Sequence, residues 1–219
     1  MSVTSTGGRK EIEADARRRA IVEATERLLT ERDVEDTSME VIAEAVGYTR
    51  RTLYAYFSGR DEILLLVLVR DLERRWREQQ QHLAEAETGL AKLQTWARTL
   101  YAHSRAHPHT IRLQAYWDFK GVDRSTIGRF ASNRFEQLNN ELADGLRRIF
   151  ALGIADGSLR PDLEVDLCIS QFLYTLRIVI HRALSPGYTF TSCEPDVYVD
   201  HFIDLLCRGF MPERYTHDA

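Results

Sequence analysis

Apolar positions along this 219-residue chain recur with a helical period over most of its length, and strand-like alternation between turn signals is hard to find. The pattern predicts an all-α chain. Ile21, Ala24, Leu28 and Leu29 share one face of a helix expected from Ile12 to Thr30, behind about ten residues read as a disordered arm. Glu31–Asp36 is a polar connection. Thr37-Ser38-Met39-Glu40 then has the capping-box form, with the threonine capping the next helix and the glutamate reaching back. Val41, Ile42, Ala45 and Val46 give that helix its buried face. Gly47 makes a turn, where its missing Cβ tolerates positive φ. Thr49 is placed as the N-cap of a further short helix, which Leu53 and Phe57, four residues apart, fasten to the core.

Ser58-Gly59-Arg60-Asp61 repeats the capping-box pattern and opens a long helix to about Glu87. That helix is apolar nearly all round at Ile63–Val69 and amphipathic through Leu72 and Trp76. Further helices are expected near Leu90–His107, His109–Lys120 and Arg124–Ala155, with breaks at Pro108 and Gly121. A turn at Asp156–Asp162 precedes two apolar closing helices, Glu164–Leu184 and Asp196–Phe210, joined by a loop from Ser185 to Pro195.

Two short helices around a glycine turn are the sequence form of a helix-turn-helix, whose second helix enters the DNA major groove. The segment Gly47–Phe57 suits that role, because it is basic and rich in hydroxyls and tyrosines. Arg50, Arg51 and Thr52 open the recognition helix beside Tyr48 and Thr49, and arginine can donate two hydrogen bonds to guanine. Thr37, Ser38, Tyr56 and Arg60 are read as phosphate anchors, which position the domain without reading sequence. Tyr54 either packs inward or touches the DNA backbone. Arg17, Arg18 and Arg19 either reach phosphates or form a solvated helix turn.

Charge tempers this reading. The chain carries a net −4, and Met1–Arg60 holds ten Lys/Arg against eleven Asp/Glu. Electrostatic binding therefore rests on where the arginines cluster, and it needs two copies of the site to be strong. The acidic balance favours a second reading, a helical small-molecule sensor or scaffold that does not bind DNA. Three unpaired cysteines, Cys168, Cys193 and Cys207, fit reduced structural thiols. No apolar stretch approaches the ~20 residues that span a bilayer, and the first ten residues lack a secretory h-region, so a cytoplasmic protein without membrane contact is expected. His103 and His107 are four apart, but no Glu lies between them and no Cys is near, so no metal site is expected. No nucleophile elbow, phosphate-binding glycine loop or catalytic triad spacing occurs, so neither an enzyme nor a cofactor is expected.

Residues 17–64 resemble the DNA-binding domain of the TetR family of bacterial transcriptional repressors. The matching residues are Ile21, Ala24, Thr37-Ser38, Ile42-Ala43, Ala45-Val46-Gly47, Thr52-Leu53-Tyr54, Tyr56-Phe57 and Asp61-Glu62-Ile63-Leu64. The turn Gly153…Gly157-Ser158-Leu159-Arg160-Pro161-Asp162 before the last two helices is a recurrent feature of that family. The chain departs from the family pattern at Tyr48, where an aliphatic residue is common, and at Arg51, where a small one is. It also departs at Arg60, where lysine is common, and near Asp33, where a glycine is usual.

The resemblance implies a three-helix helix-turn-helix domain over residues 1–60 and a larger helical ligand-binding and dimerisation domain over 61–219. It implies a homodimer that binds a near-palindromic double-stranded DNA operator and answers to a small molecule. Candidate ligand-binding residues are the aromatic Trp96, Tyr101, Tyr116, Trp117 and Phe130, with Tyr174, Arg177 and His181 on one face of the penultimate helix. Ordinary core packing is the competing reading for each of the aromatics. The opposite, wider apolar faces of the last two helices are assigned to the dimer interface. They carry Phe172, Leu176, Val179 and Ile180 on one helix, and Phe202, Ile203, Leu206 and Phe210 on the other. Two such helices from each chain would form a four-helix interface.

Overall fold

A computed structural model describes residues 5–119, 127–185 and 193–212, the side chains of residues 5–10 excepted. Among the described residues there are nine α-helices and no strand. They are α1 (Ser5–Glu31), α2 (Met39–Ala45), α3 (Arg50–Tyr54), α4 (Arg60–Leu83), α5 (Gly89–Ala106), α6 (Pro108–Phe119), α7 (Arg129–Asp156), α8 (Val165–Leu184) and α9 (Pro195–Arg208). The expected all-α class is observed. α1 starts at Ser5, so helix replaces most of the expected N-terminal arm, whose first four residues lie outside the described ones. The break expected at Gly121 and the start expected at Arg124 also lie outside them. α7 opens at Arg129 and α4 ends at Leu83, a turn earlier than its amphipathic pattern suggested.

The chain divides into two compact units. The first comprises Met1–Asp71 and Arg112–Glu136, the second Leu72–Ile111 and Gln137–Ala219. α4, α6 and α7 each contribute residues to both.

In the first unit α1 packs on α2 and α2 on α3. Ile21, Leu29, Ile42, Leu53 and Phe57 are buried, as the apolar periodicity requires. The Arg70 guanidinium of α4 pairs with the largely buried Glu26 carboxylate of α1, Nε to Oε2, at 2.9 Å. The cap of α2 is one residue later than expected. Ser38 Oγ accepts from Val41 N at 3.3 Å, whereas Thr37 is wholly buried and its hydroxyl donates to Asp33 O at 3.0 Å. At the start of α4 it is Glu62, not Asp61, that reaches back. Its Oε2 accepts from Ser58 N at 2.6 Å and from Ser58 Oγ at 2.8 Å.

The second unit holds an apolar core built from α5, α7, α8 and α9. Trp96 stacks tilted on Phe172 at 5.4 Å between centroids, and Phe150 meets Phe210 edge-on at 5.4 Å. The Asp156–Pro161 turn is fixed by hydrogen bonds rather than by core contacts alone. Gly157 takes φ +77° there. Asp156 accepts from Gly89 N and Ser158 N, both at 2.8 Å, and Ser158 Oγ accepts from Leu90 N at 3.1 Å. Burial pushes the Asp156 carboxyl up. The Ser158 hydroxyl and the Gly89 and Ser158 amides outweigh that and hold it below the usual carboxylate range. These bonds satisfy first-turn amides of α5, which Thr88 caps through Ala91 N. A seam of charges joins α5 to α9. Arg98 meets Asp200 at 3.2 Å and Asp204 at 3.0 Å, and Arg105 meets Asp196 at 2.7 Å.

Gly89 and Gly153 bring two stretches of backbone close together in this unit. A Cβ on Gly89 would sit 2.2 Å from Gly153 Cα and 2.8 Å from Ile149 O, where only backbone movement could relieve it. Gly89→Ala is therefore expected to cost ~1–3 kcal/mol, a fall of roughly 2–4 °C in Tm per kcal/mol. Gly59→Ala, with nothing within 4 Å, serves as the control. Equal Tm values in thermal unfolding would refute the close approach.

Candidate nucleic-acid interface

The helix-turn-helix rests on three local devices. Gly47 takes φ +68°, and its turn is closed by Gly47 N→Glu44 O at 3.1 Å and Tyr48 N→Ala43 O at 2.9 Å. Thr49 caps α3 as expected, accepting from Thr52 N at 3.1 Å, and the two hydroxyls share a hydrogen bond of 2.9 Å. Leu53 and Phe57 anchor the helix from below, and Phe57 N→Leu53 O at 3.0 Å carries the last turn past Tyr54.

With its buried side fixed, α3 presents Tyr48, Thr49, Arg50, Arg51 and Tyr54 to solvent, with Thr52 half-buried. Tyr54 is half exposed, which removes the inward alternative. Arg51 makes no ion pair or hydrogen bond among the described residues. Arg50 is paired across the turn with Glu40 of α2, Nη1 to Oε1, at 2.5 Å. The Glu40 carboxyl is held below its ordinary range by its own backbone N–H, then by the Ser38 hydroxyl and the Arg50 charge, against a small opposing effect of burial. Tyr56 is tied to α1: its hydroxyl accepts from Arg17 Nη1 at 3.0 Å and its carbonyl from Arg18 Nε at 3.4 Å. Ser38 is half-buried, its oxygen engaged as the α2 cap.

Two expected phosphate anchors are otherwise employed. Thr37 has no exposed surface and cannot reach a ligand. Arg60 is a clamp on its own chain. Its Nε donates to Thr37 O at 2.7 Å, Nη2 donates to Val34 O, and Nη1 donates to the Tyr116 hydroxyl at 3.3 Å. The guanidinium also lies over the Tyr116 ring, 5.5 Å from its centroid. These partners lie 23, 26 and 56 residues away in sequence, so local charge pattern could not reveal them. Glu40 is a neighbour of the recognition helix that sequence reasoning missed. The available signal was a single acid in the first turn of α2, ten residues before an arginine in the first turn of α3.

The candidate ligand-binding residues fall in both units. Tyr116, Trp117 and Phe130 belong to the first unit, and Trp96, Tyr101, Tyr174, Arg177 and His181 to the second. Phe130 and Tyr174 are mostly exposed, so neither is an interior side chain, and Arg177 lies over the Tyr174 ring at 4.7 Å. Tyr101 donates to Asp196 Oδ1 at 2.6 Å; burial and that carboxylate push its hydroxyl far up. Burial holds the His181 imidazole below its usual value, with Arg182 adding to the effect. Two buried polar atoms near Trp96 have no hydrogen-bond partner among the described residues: Trp96 Nε1 and Gln79 Oε1. Gln79 Nε2 donates to Trp96 O at 3.4 Å, so the unmatched donor and acceptor share one region of the interior. His103 Nδ1 lies 2.6 Å from Glu78 Oε2. Among the described residues no group of three or more His, Cys, Asp or Glu is placed to hold a metal ion.

The expected dimer residues are largely spent on their own chain. Phe172, Leu176, Ile180, Ile203 and Phe210 are core side chains, and Val179, Phe202 and Leu206 are half-buried against that core. The wider apolar face of each helix is the one its own unit covers. The apolar side chains left in solvent are Leu167, Tyr174 and Ile178 on α8 and Val197, Tyr198 and Leu205 on α9.

Residues 21–67 match the family model described as bacterial regulatory proteins, tetR family. A curated relative, the HTH-type transcriptional repressor KstR2 of Mycolicibacterium smegmatis, is 27% identical over 172 residues, covering 78% of this chain and 81% of its own length. Among solved structures, the ketosteroid transcriptional regulator KstR2 of Mycobacterium tuberculosis superposes with a TM-score of 0.65 at 19% identity, over 90% of this chain and 96% of that one. AibR, solved in complex with isovaleryl coenzyme A and operator DNA, gives 0.64 at 18% identity, over 86% and 97%. At such identities the two structural likenesses show a shared fold. Among the described residues no helix is long and apolar enough to cross a membrane.

If Arg60 clamps the loop rather than a phosphate, Arg60→Ala strands two carbonyls. It should lower stability by ~1–3 kcal/mol and leave the salt dependence of DNA binding by the folded fraction unchanged. An unchanged denaturation midpoint with a shallower salt slope would return Arg60 to the DNA surface.

Proposed function

Through residues 21–67 this chain belongs to the TetR family of bacterial regulatory proteins, and from that premise we propose a ligand-responsive transcriptional repressor that binds a near-palindromic operator as a homodimer in the cytoplasm. It performs no catalysis. Residues 1–60 read one operator half-site, and residues 61–219 dimerise and take a small molecule. The observation that carries this reading is the presentation of α3: a helix pinned from below by Leu53 and Phe57, capped by Thr49, with the unpaired Arg51 guanidinium in solvent. Phosphate contacts come from Tyr48, Tyr54 and the hydroxyls of Thr49 and Thr52. Arg51, long and bidentate, is the residue suited to a guanine edge.

The test is fluorescence anisotropy on the DNA upstream of the protein's own gene across a salt series. Binding should weaken steadily as salt rises, since phosphate contacts release counterions. Arg51→Ala should lose ~1–3 kcal/mol of discrimination between operator and random duplex. Binding that is absent or indifferent to salt would instead favour the sensor or scaffold reading that the acidic balance suggests.

Dimerisation follows from the leftover apolar side chains. Leu167, Tyr174 and Ile178 stand seven and four residues apart on α8, and Tyr198 and Leu205 seven apart on α9, so each set shares a helical face. Exposed apolar stripes on adjacent antiparallel helices fit a two-fold four-helix contact. The ligand belongs in the second unit, where Trp96 Nε1 and Gln79 Oε1 await a group that both accepts and donates, such as a hydroxyl. Leu205→Glu is expected to give a monomer by light scattering with intact helicity and at least tenfold weaker operator binding, because one half-site alone binds poorly. A dimer of unchanged affinity would move the interface off α9.

A further inference from the structure

We propose that Glu40 competes with DNA phosphate for Arg50 and thereby sets how tightly the helix-turn-helix binds. This rests on the DNA-binding reading above. Arg50 opens the recognition helix, where a guanidinium would ordinarily be spent on the polyanion, yet its Nη1 is held by Glu40 Oε1 at 2.5 Å. Both side chains are more than half exposed, so the pair sits on the surface that α3 offers to DNA rather than in the core. The Glu40 carboxyl is held below the ordinary range, so it stays ionised through the neutral range.

An exposed pair of this kind is weak, of order 0–1 kcal/mol, so a phosphate can displace it. The displacement has a consequence that a lone arginine would not have. When Arg50 turns to a phosphate, Glu40 is left as a fixed negative charge beside the same strand. The pair then contributes no net positive charge to the interface, and the counterions that Arg50 would release are offset by a cation retained at Glu40. Arg51, without a partner among the described residues, remains as the cation of α3 that acts at full strength. Nonspecific binding consists almost wholly of phosphate contacts, whereas operator binding adds base contacts. Cancelling one phosphate contact takes the same increment from both, so it weakens binding without changing the preference for operator.

The full-length protein is compared with Glu40→Gln, Arg50→Ala and the double variant by anisotropy, on operator and on random duplex, between ~50 and ~200 mM salt. Circular dichroism confirms the fold, and Glu40→Ala serves as a second variant. Glu40→Gln should tighten binding about three- to tenfold, by the same factor on random duplex and on operator, and steepen the salt slope by about one. Arg50→Ala should weaken binding in the wild-type background, where it leaves Glu40 uncompensated, and by still more beside Glu40→Gln, where no ion pair has to be broken first, which is the coupling that a competitor predicts. Weaker or less selective binding by Glu40→Gln would overturn the proposal, since it would mean that Glu40 aims Arg50 at a base. Unchanged affinity and slope in both Glu40 variants would overturn it too. Wild-type protein that shows no salt-sensitive binding would remove the DNA-binding reading itself, a result distinct from either.

Discussion

One guanidinium organises the first unit. Arg60, at the start of α4, donates to the carbonyls of Thr37 and Val34 and to the Tyr116 hydroxyl. The loop between α1 and α2 has few apolar side chains of its own. Val34 and Thr37 are buried there, and burying a turn leaves carbonyls that must find donors. A planar group with five N–H donors can serve several at once, where a lysine ammonium cannot match the fork geometry. Once that loop is fixed, Ser38 stands at the correct place to cap α2. The Gly47 turn then sets α3, so the presentation of the recognition helix depends on a residue outside it.

Legibility from sequence followed the range of the interaction. Local devices were readable: the positive φ of Gly47, the Thr49 cap and the Leu53–Phe57 pair each act within a few residues. The cap of α2 was missed by one position because Thr37 and Ser38 are both competent caps. What separates them is that the Thr37 side chain is turned wholly inward and back-bonds to Asp33. The Arg60 clamp was not legible because a surface arginine and a clamp look identical until its distant partners are seen. The burial of most of the expected dimer residues was hidden for a related reason. Periodicity reports which face of α8 is apolar, not which body covers it, and Phe172, Leu176 and Ile180 are claimed first by their own core. The exposed stripe of Leu167, Tyr174 and Ile178 is weaker in the pattern because only side chains the chain itself does not bury remain on it.

The acidic balance of residues 1–60 looked like an argument against DNA. Its resolution lies in geometry. Glu26 is occupied with Arg70 of α4, and Asp15 with Arg18, on α1 itself. The Glu40–Arg50 pair brings an acid onto the face that α3 presents. Net charge counts all of these equally, whereas a duplex senses mainly what lies within about a Debye length of its phosphates, ~8–10 Å at ordinary salt. Arg51 is an exposed cation of α3 with no ion pair or hydrogen bond among the described residues. A domain with no net positive charge is consistent with a protein whose avidity must come from a second copy rather than from charge.

That dependence gives α9 a double duty within the second unit. One flank is bound to α5 by Arg98 with Asp200 and Asp204, and by Arg105 and Tyr101 with Asp196. Another flank leaves Tyr198 and Leu205 in solvent. Each ion pair is exposed and individually weak, but four contacts to three carboxylates spaced four residues apart act on one helix face and fix its register. A movement of α5 along its axis must carry α9 with it or break that row. The unmatched Trp96 Nε1 lies on α5, so a molecule that satisfied it would act on the helix to which the apolar stripe of α9 is laced. Such a molecule can change DNA affinity only to the extent that it binds one arrangement of α5 better than another.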